Sequence, residues 1–312
     1  MAILLIIWVY LAKSFHLPAH GYGNPQYLPL GLANPYFVRF ASDPNTSVLD
    51  DAKALNPTFF SLWIGNNDVL GYAAGGGEGD WITHADSVSM AIEFILAQLT
   101  ATGAKGVIAN LPDMMAAPYF TVMKAKVPYN GLVLTRQGQV DSLNFAYSQL
   151  GITFQLGQNP FIVEDAVTHY PRQMVATDIF LLTLPTDSLQ CYGWGSAVPI
   201  PHRFILDAAE TTAVNNAIAA YNLKIKELAV GYDLALVDVF SLMQDLKEGI
   251  ISDGVTLTTE FVTGNTFSLD GIHLTQMGYA YIANQFVIAI NEKYGSSIPT
   301  VSIANYPSVV LP

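Results

Sequence analysis

Two short runs in this chain combine residue types able to move a proton or stabilise a developing negative charge. The first is Gly65-Asn66-Asn67-Asp68, which closes the apolar segment 57–65. A glycine frees the backbone for a sharp turn. An asparagine after it can aim its amide N–H₂ into the space above a sheet. The same residues also read as a plain strand-to-helix turn with Asp68 as a cap. The second run is Ser268-Leu269-Asp270-Gly271-Ile272-His273. An aspartate three residues before a histidine can bring its carboxylate to the imidazole Nδ1–H. That fixes the tautomer and stabilises the imidazolium formed when Nε2 takes a proton. Alone, this run is also compatible with a surface turn leading into a helix. Taken together, an amide donor behind one strand and an Asp–His pair near the C-terminus are parts of an acyl-transfer site.

The other candidates are weaker. His16, His20, His84, His169 and His202 lie in loop-like stretches without an acid at useful spacing and read as polar surface or turn residues. The single cysteine, Cys191, rules out an intrachain disulfide. It has no charged neighbour in Leu189-Gln190-Cys191-Tyr192-Gly193 to activate a thiolate, and reads as space-filling. Gly75-Gly76-Gly77-Glu78-Gly79 lacks the Lys-Ser/Thr of a phosphate cradle and reads as a flexible loop. No Cys, His or acid cluster shows metal-ligand spacing, so neither metal nor cofactor is expected.

The elements that must position the two runs can be read from apolar patterning. Residues 57–65, 105–111 and 234–240 are short, nearly continuous apolar runs ending in turn residues, as buried parallel strands are. Helices are expected over 87–102, 208–230 and 276–293, with Gly103, Gly231 and Gly295 behind them and Thr275 capping the last. Strand–helix alternation predicts an α/β domain with a parallel sheet, whose ligands bind beyond the carboxyl ends of the strands. Residues 114–205 break the rhythm with many prolines and aromatics. They predict an irregular inserted cap with one or two hairpins over that edge, apolar enough to receive an acyl chain. At the N-terminus, Ile3–Val9 predicts a strand pairing in parallel with 57–65 or occupying the neighbouring edge, with a degraded export signal as the other reading.

Composition narrows the function classes. The chain of 312 residues is 51% hydrophobic and 12% charged, enough apolar material for one large core over residues 1–312. Its net charge of −12 and lack of any basic run argue against nucleic acid and anionic membranes as partners. No apolar stretch is long enough to predict a membrane span. Nothing in the sequence sets an oligomeric state.

In these motifs the chain resembles the GDSL/SGNH hydrolase family. The family's Gly-x-Asn-Asp block is matched by Gly65, Asn67 and Asp68, and its Asp-x-x-His block by Asp270 and His273. It is especially similar to bacterial GDSL-like lipase/esterase proteins carrying Ala-Lys-Ser-Phe-His-Leu and Tyr-Gly-Asn-Pro segments, here Ala12–Leu17 and Tyr22–Pro25. The resemblance runs from about Ala12 to the C-terminus. It implies a three-layer α/β/α sandwich, flavodoxin-like, with a central parallel sheet of about five strands. It implies His273 as general base, Asp270 as its orienting acid and Asn67 as oxyanion donor, with Gly65 and Asp68 supporting the loop. The implied activity is ester hydrolysis through an acyl-serine, on a small-molecule, lipid or glycan ester, in an exported bacterial protein of the periplasm or outer membrane. Two family positions are missing. No Gly-Asp-Ser occurs anywhere in the chain, so it contains no recognisable nucleophile. The glycine expected before Ala12 is replaced by Trp8-Val9-Tyr10-Leu11. The expectation is a gene product whose start lies upstream and which lacks the nucleophile-bearing strand. A non-catalytic binding module and a carbohydrate acetylesterase are the alternatives.

Overall fold

The computed structural model of the chain describes residues 4–7 and 13–309. Its strands are β1 (Leu4–Ile7), β2 (Phe59–Leu62), β3 (Lys105–Ala109), β4 (Leu132–Leu134), β5 (Gly157–Asn159), β6 (Ile162–Glu164), β7 (Pro171–Gln173), β8 (Ile179–Phe180), β9 (Ile205–Leu206), β10 (Ala235–Val237), β11 (Ile250–Ser252) and β12 (Val255–Leu257). Its helices are α1 (Val48–Ala54), α2 (Asn67–Ala74), α3 (Ala85–Thr100), α4 (Pro118–Lys126), α5 (Gln137–Ala146), α6 (Thr186–Cys191), α7 (Ala208–Gly231), α8 (Val239–Glu248) and α9 (Gln276–Tyr294).

β1, β2, β3 and β10 form one parallel sheet in that order. Leu4 lies level with Phe59, Phe59 with Lys105, and Val107 with Ala235. The N-terminal segment thus pairs with 57–65 over Leu4–Ile7; residues 3, 8 and 9 of the expected strand lie outside the described residues. Side chains alternate across the sheet, as the strand period of two requires. Phe60, Leu62 and Ile108 join Ile92 and Ile95 of α3 and Ile218 and Ile225 of α7. Val107 and Ala109 point the other way and join Ala235, Val237 and Ile290 of α9. The Phe60 ring lies directly over Gly106, where an added Cβ would sit 2.5 Å from it. Only the missing side chain of Gly106 leaves room for that ring.

The expectation of a flavodoxin-like three-layer sandwich with one central parallel sheet is overturned. Among the described residues, parallel pairing stops at four strands. The others form two-stranded antiparallel sheets, β4–β5, β6–β7, β8–β9 and β11–β12. The fold is mixed α/β with several small, mostly antiparallel sheets. For two of these pairs the physical reason is the length of the connection; β4–β5 and β8–β9 are instead joined through α5 and α6. A parallel neighbour needs a crossover of about a dozen residues or more, whereas a tight turn can join only antiparallel strands. Asp253-Gly254 alone separates β11 from β12, and residues 165–170 separate β6 from β7.

Residues 114–205 contain α4, α5, α6 and the strands β4 to β8. They build apolar clusters of their own, one around Phe161, Phe180 and Ile200 and another around Val140, Leu143 and Phe154. No helix of the described residues is long and apolar enough to cross a membrane.

Candidate active site

β2 leads through Trp63 and Ile64 into Gly65, whose φ of +110° lies where an L side chain is strained. A Cβ there would also press to 3.1 Å on Leu111. This turn delivers Asn66 as the residue before α2 and Asn67 as its first residue. Both line an apolar cavity of about 150 Å³.

Asp68, the next residue, goes the other way. It is fully buried and accepts hydrogen bonds from the Ser14 backbone N–H at 2.7 Å and the Ser14 hydroxyl at 3.2 Å. Burial pushes its carboxyl above the ordinary value, against the opposing pull of the Ser14 bonds and nearby Lys13. Asp68 therefore fastens the turn at Ser14–His16 to α2 and is not among the residues lining the cavity.

The second run forms a tight loop before α9. One Asp270 carboxylate oxygen, Oδ1, accepts from the backbone N–H of Ile272 and of His273, each at 2.9 Å, and from the Ser268 hydroxyl at 2.8 Å. The other, Oδ2, lies 2.7 Å from His273 Nδ1. Partial burial alone would raise the Asp270 carboxyl. The hydrogen bonds from Ile272, His273 and Ser268 outweigh it and hold the group below the usual carboxylate value. The loop is fixed from behind at Gly271, which has φ +72° and whose carbonyl accepts the Tyr119 N–H of α4 at 3.0 Å. The Tyr119 hydroxyl in turn donates to the Ala74 carbonyl at the end of α2. His273 lines the same cavity as Asn67.

Nδ1 is committed to Asp270, so proton exchange with a ligand falls to Nε2 of His273. The arrangement offers a base, an acid that orients it, an amide donor and an apolar chamber. Among the described residues no Ser–His–Asp triad is seen: the serine nearest the first run, Ser14, is buried on Asp68, and Ser268 donates to Asp270 behind the imidazole. The cavity wall differs from the expectation as well. Residues 114–205 contribute only Met114 and Ala117, while Val239, Leu242, Met243 and Leu246 come from α8, Leu70 from α2 and Ile282 from α9. An acyl chain here would lie against α8, because Phe161, Phe180, Tyr147 and Phe154 of the inserted region pack in its own clusters and Tyr119 and Phe120 pack in the main core.

Sequence reasoning missed one cluster. His202 is buried rather than at the surface, and its Nε2 lies 2.8 Å from Glu210 Oε1. With Asp207, these are the described His/Cys/Asp/Glu residues grouped closely enough to hold a metal ion, their ligand atoms within 4.8 Å of one another. Their present contacts are structural. Glu210 Oε2 accepts the Asp207 N–H and Asp207 Oδ1 accepts the Glu210 N–H, a capping box that starts α7. Burial alone would lower His202; the hydrogen bond and charge of Glu210 outweigh it and hold the imidazole above its ordinary value. Gly77 packs so close to Glu210 that a Cβ would overlap its carboxylate, which ties the glycine-rich 75–79 loop to this pair. The capping box was legible as Asp207-x-x-Glu210; nothing local marks His202. Of the remaining histidines, His20 and His84 are largely exposed and His16 stacks on Tyr22; exposed His169 lies 2.9 Å from Glu164 Oε1, whose Oε2 accepts the His202 N–H.

No family model matches the chain, and no curated protein matches it.

Proposed function

We propose that this chain is the body of an ester hydrolase of the GDSL kind, in which His273 is the general base, Asp270 orients it and Asn67 donates to the oxyanion. The main support is that Asn67 and an Asp270-bound His273, roughly two hundred positions apart in the chain, border one apolar cavity.

A hydroxyl oxygen attacks the ester carbonyl carbon as its proton passes to Nε2 of His273. The carbonyl oxygen becomes an oxyanion that accepts a hydrogen bond from the Asn67 amide. Collapse then breaks the bond to the alcohol oxygen, which takes the proton back from Nε2. In the acyl-serine route the first hydroxyl belongs to a serine, and water repeats the cycle to release the acid. This sequence has no Gly-Asp-Ser, so the hydroxyl proposed to attack in this chain is that of water. Loss of a triad serine costs on the order of 10⁶-fold in kcat, whereas a positioned base acting on water still contributes about 10²- to 10⁴-fold.

The test is hydrolysis of p-nitrophenyl hexanoate by the purified chain. Slow, saturable turnover that disappears in His273→Ala and survives in His169→Ala is expected. Equal rates in the chain and in His273→Ala would refute the assignment. The missing nucleophile favours a second reading, an ester-binding module, which would show saturable binding at the cavity and no His273-dependent turnover.

A further inference from the structure

We infer that the acyl group this site receives has about six carbons, and that α8 sets the limit. The inference rests on the ester-hydrolase reading for one point only: that the carbonyl lies at Asn67 and His273. The rest follows from the chamber. Its volume is about 150 Å³. Apolar cavities of that size walled by Leu, Ile and Phe stay dry and admit a body the size of benzene, six carbons.

The α8 wall is a single stripe. Val239, Met243 and Leu246 stand at i, i+4 and i+7, so all three lie on one helix face. All are buried, and Phe267 also lines the chamber. An acetyl group leaves most of this wall without partner atoms. A twelve-carbon chain has twice the carbon body the chamber admits: its further carbons either push Met243 or Leu246 off their packed positions, which close-packed interiors resist, or stay at the open mouth with no wall to contact. Between these limits, each methylene moved from water to the wall tightens binding about fourfold.

The experiment is a chain-length series of N-methyl alkanamides with acyl groups of two to twelve carbons. These are unreactive ester isosteres, and binding is read by tryptophan fluorescence, since Trp63 is on the cavity wall. The dissociation constant is expected to fall about fourfold per methylene to about six carbons, on the order of 10²-fold from acetyl, and then to level or rise. Leu246→Ala moves the optimum to longer chains, and the series on the unmodified chain decides the matter if that variant does not fold. A flat series, a best ligand of two carbons or a steady gain to twelve would overturn the inference.

The same series in His273→Ala separates this claim from the catalytic one. A six-carbon optimum without His273-dependent turnover retains the chamber and removes the hydrolase. His273-dependent turnover with no optimum near six carbons does the reverse.

Discussion

Gly106 sits in β3 with the Phe60 ring of β2 across its missing side chain. Replacing it with alanine puts a methyl carbon 2.5, 2.6 and 2.7 Å from three ring atoms of a residue with no exposed surface. Real Cβ contacts do not come that close, so the ring, the strand or both must shift. The ring cannot shift freely, since it packs among the core side chains carried by α3 and α7. The strand is held too: the Gly106 carbonyl accepts the Tyr294 hydroxyl at 2.7 Å, and Gly106 pairs with Phe60 in the sheet. Forcing an extra methyl into such a core costs about 1–3 kcal/mol. The smaller conformational entropy of the unfolded alanine chain returns about 0.4–1 kcal/mol. The midpoints leave a net destabilisation of about 1.3 kcal/mol, and for 312 residues each kcal/mol lowers Tm by roughly 1.5 °C. Gly231 is the matched control. It ends α7 with nothing within 4 Å of its would-be Cβ and no positive φ. Gly231→Ala should therefore leave stability unchanged or raise it by about 0.4–1 kcal/mol. Thermal melts followed by circular dichroism give both values in one experiment. If Gly106→Ala melts at or above the parent temperature, the packing of Phe60 over β3 is wrong.

Three further outcomes are expected. Gly271→Ala places a non-glycine residue at φ +72° with its Cβ 2.8 Å from the Tyr119 nitrogen. About 1–2 kcal/mol of stability should be lost for the backbone alone, together with His273-dependent turnover, as urea melts and the ester assay will show. Asp270→Asn keeps an oxygen for the Ile272 and His273 N–H groups but no longer fixes the imidazole tautomer. It should lower His273-dependent hydrolysis by as much as a positioned base contributes, roughly 10²-fold or more, with little change in Tm; turnover within about twofold of the parent would exclude Asp270 as the orienting acid. The folded His202 is held above its unfolded value, near 6.5. The stabilisation its proton brings is full below about pH 6.5 and fades as pH rises through the folded value. Urea midpoints of the parent and Glu210→Gln should therefore differ more at pH 5.5 than at pH 9, and a gap that widens with pH would contradict the pairing.

Where a signal is local, the sequence reveals it. The apolar runs of β2, β3 and β10 and the stripes of α3, α7 and α9 emerge within a few residues of expectation, because period and capping act over one or two turns. α3 begins at Ala85, ahead of its expected start at 87, because the ring of His84 accepts the Asp86 N–H. One or two hairpins were legible in 114–205, and β6–β7 is one, but the pairing of the other short strands was not. Strands of two or three residues carry too little pattern to reveal their partners, and the three apolar runs were extrapolated into one larger sheet. At the site, the Asp270–His273 pairing was readable because three positions bring the two side chains together. The sequence did not reveal that Asp68 turns away from Asn67, because neighbours on a helix face different directions, and which direction leads to Ser14 is decided by tertiary packing. The His202–Glu210 pair escaped for the same reason: eight positions apart, they are joined only when Pro201 and the capping box of α7 fold together.

The tie between the Gly271 carbonyl and Tyr119 also orders events in time. A growing chain releases Asn67 and the apolar face of α2 long before residue 271 exists. At roughly 5–20 residues per second, about ten to forty seconds pass between translation of Asn67 and of His273. Throughout that interval the chamber has neither its histidine nor its α9 wall, and Leu70, then Met114 and last the α8 stripe emerge with those walls still missing. The pocket can close only as the last eighth of the polypeptide arrives, so a nascent chain stalled before residue 270 should be sticky.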